Sequence, residues 1–209
     1  MFDLLKYIER VDKQTQKRVA KKIFITTGLA SVATMAIGIF LSSGNPHENR
    51  LLVRNTQYAK LSQLINSKLE ISEAGRQLIE TYEGKHLEAY LDPVGIPTIG
   101  YGHTKGVKIG QTITEQQAID FLNQDIKTSA RGILTHVNTP LTQGQFDALV
   151  SFHFNLGPNI LESDKVLLNA INSNNWSLAK KQMLLYVKAG EQRLEGLVKR
   201  RQAEVDLIE

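Results

Sequence analysis

Apolar and polar positions divide the chain into stretches of different character. From Ile23 to Ser43 no charged residue occurs, and this 21-residue run is long enough to cross a bilayer core as one helix. Lys17, Arg18, Lys21 and Lys22 precede it, so the pattern predicts a cytoplasmic N-terminus and everything after Ser43 outside. A cleaved signal peptide fits less well, because 22 residues lie before the apolar run and the run exceeds the usual apolar core of such peptides. Eleven of its 21 residues are Gly, Ala, Ser or Thr, and Ala30, Thr34, Gly38 and Ser42 recur every fourth position. Such a small-residue stripe can mediate helix association in lipid, though small residues are common in membrane helices generally. Residues 3–22 read as a short charged helix with Leu4, Leu5, Ile8 and Val11 on one face.

Residues 44–70 read as a polar linker. Gly44-Asn45-Pro46 is a breaker, and a helix is expected near Gln57–Leu69. Helical periodicity resumes at Ser72, a good N-cap with Glu73 in the first turn. Leu78, Ile79 and Tyr82 form the apolar side and Gly84 stops the helix, which leaves Glu83 at its C-terminal end. Strand-like runs at His86–Leu91 and Thr98–Tyr101 flank Asp92-Pro93-Val94-Gly95, a turn with Asp first, Pro second and Gly fourth. Asp92 is thereby expected at a hairpin corner, with Thr98 on the returning strand.

Charge and composition narrow the function. The apolar fraction of 42% and charged fraction of 22% suit a folded domain. The absence of cysteine removes disulfides, zinc–thiolate sites and cysteine nucleophiles, while leaving the compartment open. Residues 1–44 hold seven Lys or Arg against three Asp or Glu, which accounts for the whole net charge of +4. Residues 45–209 are balanced, so no basic footprint for nucleic acid is present there. His47, His86, His136 and His153 lack metal-ligand spacing, and Trp176 reads as a core anchor at a helix start.

Cleaving a glycosidic bond takes a proton donor on one side and an anionic or water-orienting group on the other. Glu83, Asp92 and Thr98 could supply these around a cleft. Singly, though, a helix-terminal Glu is usually a solvated charge, an Asp before Pro a turn former and a strand Thr a packing residue. The longer pattern is more specific. Tyr82-Glu83-Gly84, Ala89-Tyr90-Leu91-Asp92-Pro93-Val94-Gly95 and Pro97-Thr98-Ile99-Gly100-Tyr101-Gly102-His103-Thr104 together resemble the catalytic region of phage-type lysozymes, glycoside hydrolase family 24. That family has a catalytic Glu, an Asp nine residues on and a Thr six beyond, the spacing of Glu83, Asp92 and Thr98. Phe121–Ile126, Leu141–Gly157 and Gly196–Glu204 resemble the family's long helix, its central buried helix and its Arg-rich closing helix. The resemblance covers about Ile71 to Ile208, and leaves residues 1–70 unexplained.

The resemblance implies an α+β, lysozyme-like fold, with a small hairpin lobe from about 84 to 112 and a larger helical lobe, preceded by one N-terminal transmembrane helix. The expected organisation is a basic cytoplasmic tail (1–22), a transmembrane signal anchor (23–43), a linker with a helix (44–70) and a catalytic domain (71–209). The implied activity is hydrolysis of the bond between N-acetylmuramic acid and N-acetylglucosamine in peptidoglycan, with inversion and without metal or other cofactor. Glu83 would be the general acid, protonated near neutral pH, while Asp92 and Thr98 hold the attacking water. Asn155 would meet substrate or cap its helix. Arg200 and Arg201 would meet substrate or pair with the catalytic carboxylate, or else form a solvated face. His103 would pair with Asp125 and so join the lobes. The expected location is the bacterial inner membrane, single-pass, with the catalytic domain periplasmic. Phage lysis is the first context, and a wall-remodelling or peptidoglycan-binding protein of an envelope machine the second. A lytic transglycosylase, which normally lacks the second acidic group, fits Asp92 poorly.

Overall fold

A computed structural model describes residues 46–92 and 95–208, with the backbone alone described over 46–54. The tail and apolar segment expected at 1–22 and 23–43 lie outside the described residues. Among the described residues no helix is long and apolar enough to cross a membrane. The chain divides between Thr56 and Gln57, and Gln57–Glu209 forms a compact unit.

Helix α1 (Pro46–Asn66) is longer than the expected Gln57–Leu69. Pro46 stands at its first position, where the missing N–H costs nothing because that position has no intrahelical partner. Its end belongs to the second unit, which therefore begins ahead of residue 71. Asn66, fully buried, donates to the Thr139 carbonyl at 2.8 Å and accepts from the Leu141 N–H at 2.9 Å.

The Ser72 hydroxyl caps α2 (Glu73–Glu83) by accepting from the Gly75 N–H at 3.2 Å. Ser72 also donates to Asp147 through its N–H (2.9 Å) and its hydroxyl (2.5 Å). A Cβ on Gly75 would stand 2.8 Å from Asp147, so the helices meet closely there. Gly84 ends α2 at φ 69, a conformation that glycine adopts without strain.

Strands β1 (His86–Leu91) and β2 (Pro97–Gly100) pair antiparallel, Tyr90 opposite Thr98 and Leu91 opposite Pro97. The second strand is one residue earlier than expected, since Gly100 turns out of it at φ 66. Residues 111–113 return beside β1, with Ala89 N–H to Gln111 O and Ile113 N–H to Leu87 O, both at 2.9 Å. Ile99, Ile113 and Ala118 are the small buried core of this lobe.

A reciprocal cap between Thr114 and Gln117 starts α3 (Glu115–His136), which runs from this lobe into the larger one. Helix α4 (Gln143–Leu156) buries every residue from Gln145 to His153, the pattern of a helix enclosed on all sides. Phe146, Leu149 and Phe152 pack in one core with Ile79, Leu122, Ile133 and Val205. Short helices α5 (Ile160–Ser163), α6 (Lys165–Asn172) and α7 (Trp176–Met183) add Leu161, Leu167, Ile171 and Met183. Trp176 is buried at the start of α7, its indole N–H donating to Asn174 Oδ1 at 2.7 Å. A small hairpin of β3 (Lys188–Ala189) and β4 (Gln192–Arg193) leads to α8 (Glu195–Asp206). The result is the expected α+β arrangement of a small hairpin lobe and a larger helical one.

Candidate active site

Glu83 ends α2 with its carboxyl fixed from two sides. Oε1 accepts from Arg200 Nη1 at 2.7 Å. Oε2 lies where a Cβ on Gly102 would approach to 3.0 Å, and Gly102 stands at φ 81, so both backbone conformation and space call for glycine. The Glu83 side chain keeps 17% exposure.

Behind it lies a buried charge cluster. Arg200 also donates to Glu204 Oε1 (3.2 Å) and the Ser151 carbonyl (3.3 Å), and its guanidinium lies 5.9 Å from the Tyr82 ring centroid. Arg201 pairs with Glu204 at 2.8 Å, donates to Asn155 Oδ1 at 3.0 Å and lies 4.8 Å from the Phe152 ring centroid. The Ser151 hydroxyl donates to Glu204 at 2.7 Å. Burial pulls the Arg201 guanidinium down to about 10, and burial pushes the Glu204 carboxyl up.

These contacts correct two expectations. Arg200 and Arg201 are neither a solvated face nor a surface for glycan, since their side chains are 3% and 0% exposed. Arg200 holds Glu83, and Arg201 holds Glu204. Asn155 turns its amide oxygen inward to Arg201, leaving the amide N–H₂ as the group able to meet a ligand.

Asp92 sits at the end of β1, as the turn pattern predicts. Its N–H donates to the Ile96 carbonyl at 3.0 Å and its Oδ1 accepts from the Ile96 N–H at 2.8 Å, closing the corner around the side chain. Thr98 is buried on β2, and its hydroxyl donates to the Ile96 carbonyl at 3.0 Å. With that proton committed, Thr98 Oγ1 presents lone pairs, so it can accept from a water.

His103 Nδ1 lies 2.7 Å from Asp125 Oδ2 and Nε2 lies 3.1 Å from the Lys105 carbonyl, while the ring stacks on Phe121 at 4.3 Å. This pair ties the hairpin lobe to α3. Among the described residues no group of three or more His, Asp or Glu converges to hold a metal ion.

Three participants were not singled out in the sequence. Ser151 was visible only as a polar residue in the run that becomes α4. Glu204 follows Arg201 by three and Arg200 by four, a spacing that reads equally as a solvated helix face. Tyr90 stands across from Thr98, where burial, then the nearby charges of Glu83 and Asp92, push its phenol up, so it remains a donor.

Residues 80–204 match the family model of phage lysozyme. The endolysin of Acyrthosiphon pisum secondary endosymbiont phage 1 is 41% identical over 145 residues, which are 68% of this chain and 99% of that one. The SAR-endolysin of Bacteriophage PS119 is 34% identical over 126 residues, 60% of this chain and 75% of its own. The solved muramidase domain of SpmX from Asticaccaulis excentricus aligns with a TM-score of 0.62 at 35% identity, over 67% of this chain and 97% of that one. With its hairpin lobe and its helical lobe, the chain belongs to the phage lysozyme family and is a lysozyme-type glycoside hydrolase.

Proposed function

We propose that the protein hydrolyses the β-1,4 bond between N-acetylmuramic acid and N-acetylglucosamine, with Glu83 as general acid and Asp92 with Thr98 as the water-holding pair. The observation that carries this reading is Glu83 itself, set at a helix end, held at 2.7 Å by a buried arginine and facing a glycine that leaves room beside it. Glu83 protonates the leaving oxygen. A water donates one hydrogen bond to Thr98 Oγ1 and its proton to Asp92 as it attacks the anomeric carbon from the opposite face. That route inverts the configuration. It is tested by mass analysis of glycan fragments from purified peptidoglycan. Fragments ending in hydrated N-acetylmuramic acid are expected, and 1,6-anhydro ends would refute hydrolysis.

The biological setting belongs to the same proposal. Residues 23–43 anchor the enzyme in the bacterial inner membrane, residues 1–22 stay cytoplasmic and residues 44–70 link the anchor to a periplasmic catalytic domain that degrades the wall during host lysis. The relative from Bacteriophage PS119 bears the name SAR-endolysin, and the small-residue content of 23–43 suits an anchor able to leave the bilayer. The tail opposes release. Its net +4 would move against an inside-negative potential at about 2.3 kcal/mol per charge per 100 mV, roughly 9 kcal/mol in all. Collapsing the potential removes that barrier but leaves ten charged side chains to be drawn through the hydrocarbon, so the enzyme is expected to stay tethered. Full-length protein in the soluble periplasm after depolarisation would overturn that part.

A further inference from the structure

The His86 and Tyr90 rings stand closer than a regular strand permits. Residues four apart on a strand are about 13 Å apart along it. Their ring centroids are only 4.4 Å apart, tilted by 45°. The cause lies in the pairing of β1 with β2. His86 faces Gly100 and Tyr90 faces Thr98, so four steps along β1 match two along β2, and the register is irregular between them. Such a bulge bends the strand and re-aims side chains.

The bend sets this ring pair across the candidate site. At one end, His86 Nε2 lies 3.9 Å from where a Cβ on Gly84 would stand, beside Glu83. At the other, Tyr90 lies opposite Thr98 and two residues before Asp92. Among the described residues no hydrogen bond engages the Tyr90 hydroxyl, and the ring is only half-buried. Burial above all pushes the phenol above its ordinary value, so it keeps its proton there. A braced aromatic face with an unengaged donor suits a sugar ring, which offers C–H faces to pack and hydroxyl or acetamido oxygens to accept.

We propose that Tyr90 is a substrate-positioning residue, holding the sugar that spans Glu83 and Asp92 through its ring and its O–H donor, with the His86 ring bracing it. This rests on the catalytic reading above.

The test uses the full-length protein in mild detergent and a tetrasaccharide of alternating N-acetylglucosamine and N-acetylmuramic acid. Binding is measured calorimetrically in the Glu83→Gln background. Tyr90→Phe should weaken binding about three- to tenfold, the loss of one hydrogen bond to substrate. Tyr90→Ala should weaken it about thirtyfold or more, and His86→Ala about two- to threefold. With Glu83 intact, Tyr90→Phe should raise KM by the same factor while kcat stays within about twofold and Tm is unchanged, the signature of lost uniform binding. Equal binding by Tyr90→Phe and Tyr90→Ala would overturn the proposal. A fall in Tm and kcat with KM unchanged would also overturn it, because that marks a structural role. Full turnover by Glu83→Gln would contradict the catalytic reading alone, since the Tyr90 comparison is then read from KM.

Discussion

Glu83 and Asp92 are held by contrasting means. Glu83 rests on two core helices: Arg200 grips its carboxyl, Glu204 and Ser151 grip Arg200, and Arg201 completes a cluster from which water is excluded. Asp92 stands on a hairpin whose own buried core is Ile99, Ile113 and Ala118, and whose corner is closed by two hydrogen bonds to Ile96. The difference teaches which energy maintains which half of the chemistry. The acid is set by buried charge in the large lobe, so disturbing its support costs the fold. The water side is set by local backbone geometry, so disturbing it costs activity and little else.

The largest effect expected is on the acid itself. Glu83→Gln keeps an oxygen to accept from Arg200, so the fold should survive while wall-degrading activity falls about 10²–10⁴-fold. Asp92→Asn should be nearly as damaging, also with Tm preserved. More than a tenth of wild-type activity in Glu83→Gln would sink the acid assignment.

Next comes the support behind Glu83. Glu204→Ala leaves Arg201 buried without its carboxylate and removes one partner of Arg200, a change that costs about 3–5 kcal/mol. Urea unfolding should show that loss together with reduced activity. A loss under about 1 kcal/mol would mean that the cluster adapts, and would erase the contrast drawn above.

The local half of this arrangement was legible in the sequence, whereas its long-range half was not. Ser72, Gly84 and the Asp92–Gly95 turn announce themselves, because caps and turns are decided by residues within a few positions of one another. Arg200, Arg201 and Glu204 gave no such signal. Their i, i+3 and i, i+4 spacing is shared by exposed helix faces, and only the packing of α8 on α4 removes water from them. Asn66 was hidden for the same reason, since its partners lie 73 and 75 residues away. The helix starts at Pro46 rather than near Gln57 because a proline fits the first helical position, and residues 47–56 then extend the helix without a periodic apolar pattern to announce it. The closeness of His86 and Tyr90 depends on a register irregularity that no alternation of side chains reveals.

A smaller effect tests the tie between the lobes. Asp125→Asn replaces the carboxylate facing His103 and should cost about 1 kcal/mol, lowering Tm by roughly 2–4 °C. Activity should fall less than it does for Asp92→Asn. An unchanged Tm would show that the 2.7 Å pair does not hold the hairpin lobe to α3.

The smallest concerns acid stability of the large lobe. His153 is buried on α4 against Gly132 of α3, and burial, then the nearby His136, hold it below its ordinary value of 6.5. The unfolded chain therefore takes up this proton first. Stability contributed by neutral His153 is complete above about pH 6.5 and is lost as pH falls toward the lower folded value. Chemical unfolding between pH 7 and pH 5 should show a decline that His153→Met reduces. Identical declines in both proteins would remove His153 as the cause.

The most direct test of the two-sided site is the configuration of the first product. Proton NMR of a β-linked glycan during early turnover should show the α-anomer of the new reducing sugar appearing first, as attack by a water held at Asp92 and Thr98 requires. First appearance of the β-anomer would mean retention, and would contradict the assignment of a water-holding pair opposite Glu83.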